Sequence, residues 1–387
     1  MRDGLRFVSR IGVVLMALVA LSGCAWFGGQ SKPDWIDGVS TAYPSGQYLV
    51  GVGQAESRAA AEDRAYAAVA RVFKAEVSAQ AKDWESYLLI EQRGHNSEER
   101  RLTLDNLTRV STEKVLENVR IVDRWVDVHK GLQYALAGMH RLQAETSFME
   151  RISGLDRSIS DDVEEAQRTS DKLAKVRALR RATRNLVVRE TYNADLRVIR
   201  PSGQGTAATY RVSELTQELE QFLTKNLVLA VTVTGDQVEP AQRALAEGLL
   251  KEGLQVTNRP WGGDRSIGGD SSGPYPELLV RGVVRVWPID VHDPQFKFVR
   301  WCSDFEIVDL TSQRVIGALS KGGKEGHLSE REATAKVVRV MQQEFTAEVA
   351  KAIAAHVFGE TELPAQANLP AGCPRDGLVS KPASASH

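Results

Sequence analysis

The stretch Tyr48-Leu49-Val50-Gly51-Val52-Gly53 is followed, after a short polar turn, by an alanine-rich segment that runs from Ser57 to about Ala81. The first stretch alternates two sets of side chains, which predicts a β-strand whose glycine-bearing face is kept small. Glycines on that face let another element approach the strand backbone closely. The second segment has apolar residues at helical spacing and Ser57 as a candidate N-cap, so we expect a helix packed on a sheet. Its predicted buried face consists of Ala61, Ala65, Val69, Val72, Phe73 and Val77.

Two further apolar runs, Val119 to Val128 and Leu132 to His140, flank the turn signal His129-Lys130-Gly131. Runs of strand length that are separated by such a turn are typical of a β-hairpin. We therefore expect two antiparallel strands next to the first strand.

The order of these motifs resembles one known family. Its shared features are Pro33-Asp34-Trp35, the glycine-bearing strand, the alanine-rich helix, Val119-Arg120-Ile121-Val122-Asp123-Arg124-Trp125 and Tyr134-Ala135-Leu136-Ala137. Together they resemble the LPP-twenty family of twenty-kilodalton membrane-associated lipoproteins, and the N-terminal domain of flagellar assembly protein T is similar. The resemblance covers about Pro33 to Leu142. It implies a small α+β domain with a helix on an antiparallel sheet, and it implies no enzyme activity.

The N-terminus carries a signal for export and lipidation. A basic head with Arg2, Arg6 and Arg10 precedes an apolar run that is shorter than the ~20 residues of a spanning helix. Leu21-Ser22-Gly23-Cys24 follows it directly, which is the pattern of a bacterial lipoprotein signal. We predict a signal peptide over residues 1–23 and lipidation of Cys24. The alternative is an ordinary export signal with an incidental cysteine.

Lipidation of Cys24 predicts where the protein is located. One acyl chain gives only marginal membrane binding, whereas two hold a protein stably, and a lipoprotein cysteine carries three. In lipoproteins of this kind Asp after the cysteine retains the protein in the inner membrane, so Ala25 implies the periplasmic face of the outer membrane. Residues 24–32 are then a short tether, and residues 33–146 form the first domain.

Residues 147–199 are predicted to be helical, with an acidic first part, a break near Thr169-Ser170 and a basic second part. Three interpretations stay open: a helical hairpin whose opposite charges face each other, a basic surface for phospholipid, lipopolysaccharide or an acidic partner, and an extended coiled-coil spacer. The acidic residues are Asp156, Asp161, Asp162, Glu164 and Glu165, the basic residues are Lys172, Lys175, Arg177, Arg180, Arg181, Arg184 and Arg189, and a narrow apolar stripe consists of Leu173, Val176, Leu179, Ala182 and Leu186.

A second domain is predicted over residues 213–358, after a Pro- and Gly-containing linker at 200–212. Its order of strand, helix, three strands and helix is similar in pattern to the N-terminal domain of TolB. The same pattern occurs in the middle domain of flagellar assembly protein T and in lipoprotein activators of peptidoglycan synthases. Residues 359–387 are rich in Pro, Ala and Ser, which predicts a disordered tail. The predicted fold class is α+β, with two small domains on antiparallel or mixed sheets joined by a helical hairpin or spacer.

Three cysteines are present, and lipidation of Cys24 leaves Cys302 and Cys373. An oxidising periplasm allows the two to form a disulfide. In the alternative, Cys302 is a buried thiol in a strand and Cys373 is a free thiol on the tail.

Few residues suggest chemistry. Asp290, His292 and Asp293 are of metal-ligand type, but Asp293-Pro294 between two apolar runs also fits a turn. Trp261, Trp287 and Trp301 are candidates for a peptide or glycan groove or, alternatively, core residues. The formal net charge of −1 gives no basic footprint for nucleic acid. No H-E-x-x-H or C-x-x-C motif occurs in the sequence.

These observations predict a lipoprotein that acts as a non-catalytic scaffold or adaptor in the cell envelope. We expect it to contact the membrane through lipid at Cys24 and to have an envelope protein as partner, without a cofactor, a metal, nucleic acid or a small-molecule substrate. The narrower alternatives are an accessory protein of the flagellar basal body and an activator of a peptidoglycan synthase. A metal-dependent enzyme around Asp290 and His292 is a further alternative.

Overall fold

The structure is a computed structural model, and it describes residues 31–80, 109, 113–257, 274–366, 368–370 and 373–374. The chain has an α+β fold, as the sequence predicts. It divides into a first unit of residues 1–73 and 112–145 and a second unit of residues 74–111 and 146–387. Cys24 and the rest of the predicted signal and tether up to residue 30 lie outside the described residues.

The first unit is built on a three-stranded antiparallel sheet in the order β1-β3-β2. The elements are β1 (Tyr48–Ala55), helix α1 (Arg58–Gln80), β2 (Val119–Asp127) and β3 (Leu132–His140). Strands β2 and β3 form the predicted hairpin, in which Gly131 takes a positive φ of 66° and Asp127 Oδ1 accepts hydrogen bonds from His129 N and Lys130 N.

Helix α1 lies directly on the two glycines of β1, as the sequence predicts. A Cβ built on Gly51 would lie 2.8 Å from Ala65 O, and one built on Gly53 would overlap Ala61 O and Ala65 N. Ser57 Oγ accepts a hydrogen bond from Ala60 N, which caps the start of the helix. The predicted buried face of α1 is confirmed except at Val72, which is 45% exposed because it lies beside the face.

Replacing Gly53 with alanine is expected to destabilise the first unit by about 1–3 kcal/mol, because overpacking forces a backbone to move. The control is Gly46→Ala in the same unit, since a Cβ at Gly46 meets nothing within 4 Å. Hydrogen exchange of the β1 and β3 amides measures both variants. Equal stability of the two would contradict the close approach of α1.

The turn at Asp34–Asp37 is attached to the sheet of the first unit by a tryptophan. Trp35 lies in a short 3₁₀ turn, Asp34–Asp37, and is 3% exposed. Its Nε1 donates to Asp123 Oδ2 at 2.7 Å on β2. The Pro-Asp-Trp motif and the Asp of the hairpin are therefore in direct contact.

The second unit combines seven helical segments and a five-stranded mixed sheet within the described residues. Helices are α2 (Arg141–Arg168), α3 (Lys172–Ile199), α4 (Val212–Asn226), α5 (Val238–Lys251), α6 (Glu330–Glu344), a π-helical turn (Phe345–Val349) and α7 (Ala350–Val357). Strands are β4 (Val228–Gly235), β5 (Gln255–Thr257), β6 (Leu278–Ile289), β7 (Lys297–Asp309) and β8 (Arg314–His327). The sheet order is β5-β4-β6-β7-β8, with β4 parallel to β5 and β6 and with β6, β7 and β8 antiparallel.

One face of this sheet carries the core. Trp301 and Phe305 on β7 contact Phe345 edge to face, at ring distances of 5.8 and 5.2 Å. The residues of this core include Val280, Val284, Phe305 and Ile307 from strands and Leu245, Leu249, Val337, Met341 and Ile353 from helices. Burial of these apolar side chains provides the main driving force for folding of the unit.

The predicted helical hairpin over 147–199 is confirmed, and its opposite charges face each other. Arg181 binds Asp162 at 2.8 Å and Glu165 at 2.6 Å across the two helices. Asp171 follows the predicted break and caps α3 by accepting hydrogen bonds from Leu173 N and Ala174 N. The structure groups this hairpin with the second unit instead of leaving it as a spacer, because α3 is buried on more sides than its predicted stripe.

The predicted tail also differs from the structure. Of residues 359–387, those described up to 374 are held by hydrogen bonds and by a disulfide between Cys302 and Cys373, with a Cα–Cα distance of 6.0 Å. The disordered-tail prediction is corrected for these residues, because contacts remote in sequence fix a segment whose composition is that of a flexible one. Residues 375–387 lie outside the described part.

Candidate functional site

A polar cleft of about 710 Å³ opens in the second unit, where the connector between α3 and α4 passes beside α3. The sequence predicts this connector, residues 200–212, as a linker. In the structure it is a wall of the cleft. The lining residues are Glu190, Asn193, Arg197, Gly205, Thr206, Ala207, Ala208, Tyr210, Arg211, Val212 and Ser213.

Arg189 is a fully buried side chain that holds the connector against α3. Its Nε donates to Asp156 Oδ1 at 3.0 Å, and its Nη1 donates to Glu190 Oε1 at 2.7 Å. The same guanidinium donates to the carbonyls of Thr206 at 2.8 Å and Ala207 at 3.0 Å. The planar fork of arginine can satisfy four acceptors at once, so one side chain joins α2, α3 and the connector.

Asn193 supplies the second attachment. Its Oδ1 accepts from Thr206 N at 2.6 Å, and its Nδ2 donates to Glu190 Oε2 at 3.2 Å. A Cβ on Gly205 would overlap Asn193 Oδ1, so only glycine lets the connector approach the amide this closely. Arg200 Nη1 adds contacts to the carbonyls of Gln204 and Gly205, both at 3.3 Å. The connector is therefore a fixed loop.

The side chains nearer to solvent give the cleft its chemical character. Arg197 is partly exposed, and Arg211 is exposed with its Nη1 3.8 Å from Glu214 Oε1. The carboxylate of Glu190 is already engaged by Arg189 and Asn193. Guanidinium, amide and hydroxyl groups line the cleft, so its geometry suits the binding of a polar ligand.

The remaining basic residues of α3 are mostly engaged within the fold. Arg177 Nη2 donates to His356 O at 2.8 Å, Arg180 pairs with Glu360, and Lys172 pairs with Glu277 at 2.5 Å. Lys175 Nζ lies 5.0 Å from the centre of the Phe222 ring. These contacts favour the hairpin interpretation of this segment over a free basic surface.

The predicted metal-type residues form a turn. Asp290 Oδ1 accepts from His292 N at 2.9 Å, and Asp293 Oδ1 accepts from Gln295 N at 2.8 Å and Phe296 N at 2.9 Å. The carboxylates therefore bind backbone N–H groups, as the turn interpretation predicts. Within the described part of the chain, no group of three or more His, Cys, Asp or Glu side chains is placed to hold a metal ion.

Of the three tryptophans of the predicted groove, the two that the structure describes do not line a common groove. Trp301 is 2% exposed in the core, and its cross-strand partner is Val286. Trp287 is the next residue on β6 and pairs with Arg300, so it points to the opposite face of the sheet. The core interpretation is confirmed for Trp301, while Trp261 lies outside the described residues.

Asn193 and Gly205 are not predicted from the sequence, and Arg189 is predicted only as one of the basic residues of the helical segment. A signal for Arg189 and Asn193 is nevertheless present. The apolar stripe of α3 ends at Leu186, and steps of three and four residues continue it to Arg189 and Asn193. Polar side chains on the continuation of a buried stripe indicate a buried polar network.

One family model matches a segment of the chain. The family model described as LPP20 lipoprotein matches residues 33–140. This match supports the family resemblance predicted from the sequence. It covers less than a third of the chain. A search among curated proteins finds no significant match. Among the described residues, no helix combines the length and the apolarity that crossing a bilayer requires.

Solved structures show remote likenesses. The secreted protein HP1454 from Helicobacter pylori has 13% identity and a TM-score of 0.34, over 79% of this chain and 97% of that chain. A minor lipoprotein from Acinetobacter baumannii has 10% identity and a TM-score of 0.24, over 35% and 95%. A PelC dodecamer from Paraburkholderia phytofirmans has 18% identity and a TM-score of 0.21, over 31% and 86%. These TM-scores are low, and the likenesses carry no argument about function.

Proposed function

We propose that the chain is a lipoprotein anchored through acyl chains on Cys24 to the periplasmic face of the outer membrane. The observation that carries this proposal is the order of two segments, Leu21-Ser22-Gly23-Cys24 and then a segment that matches the LPP20 lipoprotein model at residues 33–140. The Cys302–Cys373 disulfide supports it independently, because structural disulfides persist in oxidising compartments outside the cytosol.

In this proposal the two units act as a non-catalytic scaffold or adaptor. The polar cleft and the fixed connector supply a shaped surface for an envelope partner, and the network of Arg189 holds that surface rigid. The narrower roles, at the flagellar basal body or on a peptidoglycan synthase, rest on resemblances of sequence and element order to the proteins named above. Loss of swimming after gene deletion would distinguish the flagellar role from the peptidoglycan role.

The anchor is tested by growing cells with labelled palmitate. We expect Cys24→Ser to abolish the label and to release the protein into the soluble periplasmic fraction, because no acyl chain then holds it to the membrane. The matched variant is Ala25→Asp, which keeps the label and is expected to move the protein from the outer to the inner membrane fraction. Label that remains on Cys24→Ser would place the anchor elsewhere and overturn the proposal.

A further inference from the structure

We call the described residues among 359–374, which are 359–366, 368–370, 373 and 374, the C-terminal strap. The strap starts behind α7, where Glu360 N donates to Ala355 O at 2.8 Å. Leu363 N then donates to His356 Nδ1 at 3.1 Å. Ala318 N on β8 donates to Pro364 O at 2.7 Å. Since β8 is an edge strand of the five-stranded sheet, the strap covers part of an open edge.

The far end of the strap lies on the other face of the sheet. Cys302 follows Trp301 on β7, and neighbouring residues of a strand point to opposite faces, so Cys302 points away from the helix-bearing core. Cys373 is bonded to Cys302, and Arg285 Nη1 donates to Pro374 O at 3.2 Å. The described residues of the strap therefore contact His356 near the helix-bearing face, Ala318 at the β8 edge and, at Cys373, the opposite face of the sheet.

The hydrogen bond between the strap and α7 requires a neutral histidine. His356 is 4% exposed, its Nδ1 is the acceptor for Leu363 N, and its Nε2 has no partner among the described atoms. The charged groups that face it are Arg177, from α3, and Glu362, from the strap, and the backbone of Ile316 and Thr361 also contacts it. A doubly protonated imidazole has no lone pair left to accept from Leu363 N.

Burial, with a smaller contribution from the Arg177 charge, lowers the pKa of His356 below its usual 6.5. The neutral form is therefore favoured while the strap is closed. The stability that this gives the closed strap is present above pH 6.5 and is lost as the pH falls through the lowered pKa.

We propose that the strap is a releasable cover of the β8 edge with two locks, the Cys302–Cys373 disulfide and the His356–Leu363 hydrogen bond, and that it opens only when both are undone. The first lock opens by exchange with a dithiol. Its thiolate attacks Cys373 Sγ, since Cys373 is partly exposed and Cys302 is 1% exposed. Cys302 leaves as a thiolate and takes a proton, and the second thiol of the dithiol resolves the mixed disulfide. The protein gains two electrons and two protons, and the dithiol becomes a disulfide.

Hydrogen exchange of the full chain tests the proposal, with and without prior reduction by dithiothreitol, at pH 7.5 and pH 5. Protection factors correct for the intrinsic effect of pH. Only in reduced protein at pH 5 do we expect protection of residues 360–364 and of the Ala318 amide to fall by at least about tenfold, with β6 still protected. His356→Asn keeps an acceptor near the position of Nδ1 without titrating, so the reduced variant is expected to stay protected at pH 5.

Three outcomes overturn the proposal. The first is equal protection of the strap in all four conditions, and the second is its release by reduction alone at pH 7.5. The third is equal protection of the strap and of β6 in reduced protein at pH 5, which would mean that the strap opens only with the global fold. The route of attack is checked with glutathione, whose mixed disulfide we expect on Cys373, and its attachment to Cys302 would contradict that route.

Discussion

Replacing Arg189 with alanine is expected to lower the free energy of unfolding of the second unit by about 3 kcal/mol, because each buried acceptor left without a donor costs about 1–3 kcal/mol. The guanidinium is fully buried and donates to Asp156, Glu190 and two connector carbonyls. Its removal leaves a carboxylate pair without its cation and two carbonyls without a donor. Hydrogen exchange of the β6 and β7 amides, which follow global opening of the unit, gives the change.

Two variants on the same helix test whether the bonds made by Arg189 cause this loss of stability. Arg184 is exposed on α3, so Arg184→Ala is expected to change stability by no more than about 0.5 kcal/mol. Arg189→Lys keeps the charge but has only a point-like ammonium, which cannot reach all four acceptors, so we expect an intermediate loss. If Arg189→Ala were as stable as Arg184→Ala, the network would not hold the connector.

Local patterns were predictable from the sequence because their causes are local. Alternation in Tyr48 to Gly53 predicts the strand, and helical spacing after Ser57 predicts the helix. The close approach of Ala65 to Gly51 follows from the glycine-bearing face of the strand. The hairpin can also be predicted from the sequence, because the turn at His129 to Gly131 sets its register. In the second unit, the same two periods predict the strand, helix, three strands and helix that correspond to β4, α5, β6 to β8 and α6, and the structure adds the short strand β5.

The site was harder to predict because its bonds join residues that are distant in sequence. Gly and Pro between Arg200 and Thr209 are typical of a linker. The connector is nevertheless a fixed wall, because Arg189 and Asn193 of α3 and Arg200 bind its backbone. The C-terminal strap has the composition of a disordered tail. What orders it is a backbone bond to Ala318, which composition does not reveal, and the disulfide with Cys302, which the sequence leaves as one of two alternatives.

Loss of the disulfide is expected to lower the free energy of unfolding of the second unit by about 4 kcal/mol in the chain-entropy model, because the crosslink closes a loop with a sequence separation of 71. Cys373→Ser tests this, since it alters the more exposed sulfur and leaves Cys302 as a buried thiol in β7. Urea unfolding followed by exchange of the β6 and β7 amides measures the change. Reduced wild-type protein should match the variant, and dithiothreitol should not affect the variant further.

The pH dependence of this loss separates it from the release of the strap. A crosslink acts mainly on the unfolded chain, whose entropy does not depend on protonation, so the loss should be the same at pH 7.5 and pH 5. The His356–Leu363 bond acts on the closed strap and weakens only on the acid side. If loss of the disulfide lowered the free energy of unfolding by less than about 1 kcal/mol at both pH values, residues 302 and 373 would stay close together in the reduced unfolded chain without the bond. The strap would then be held by its hydrogen bonds alone.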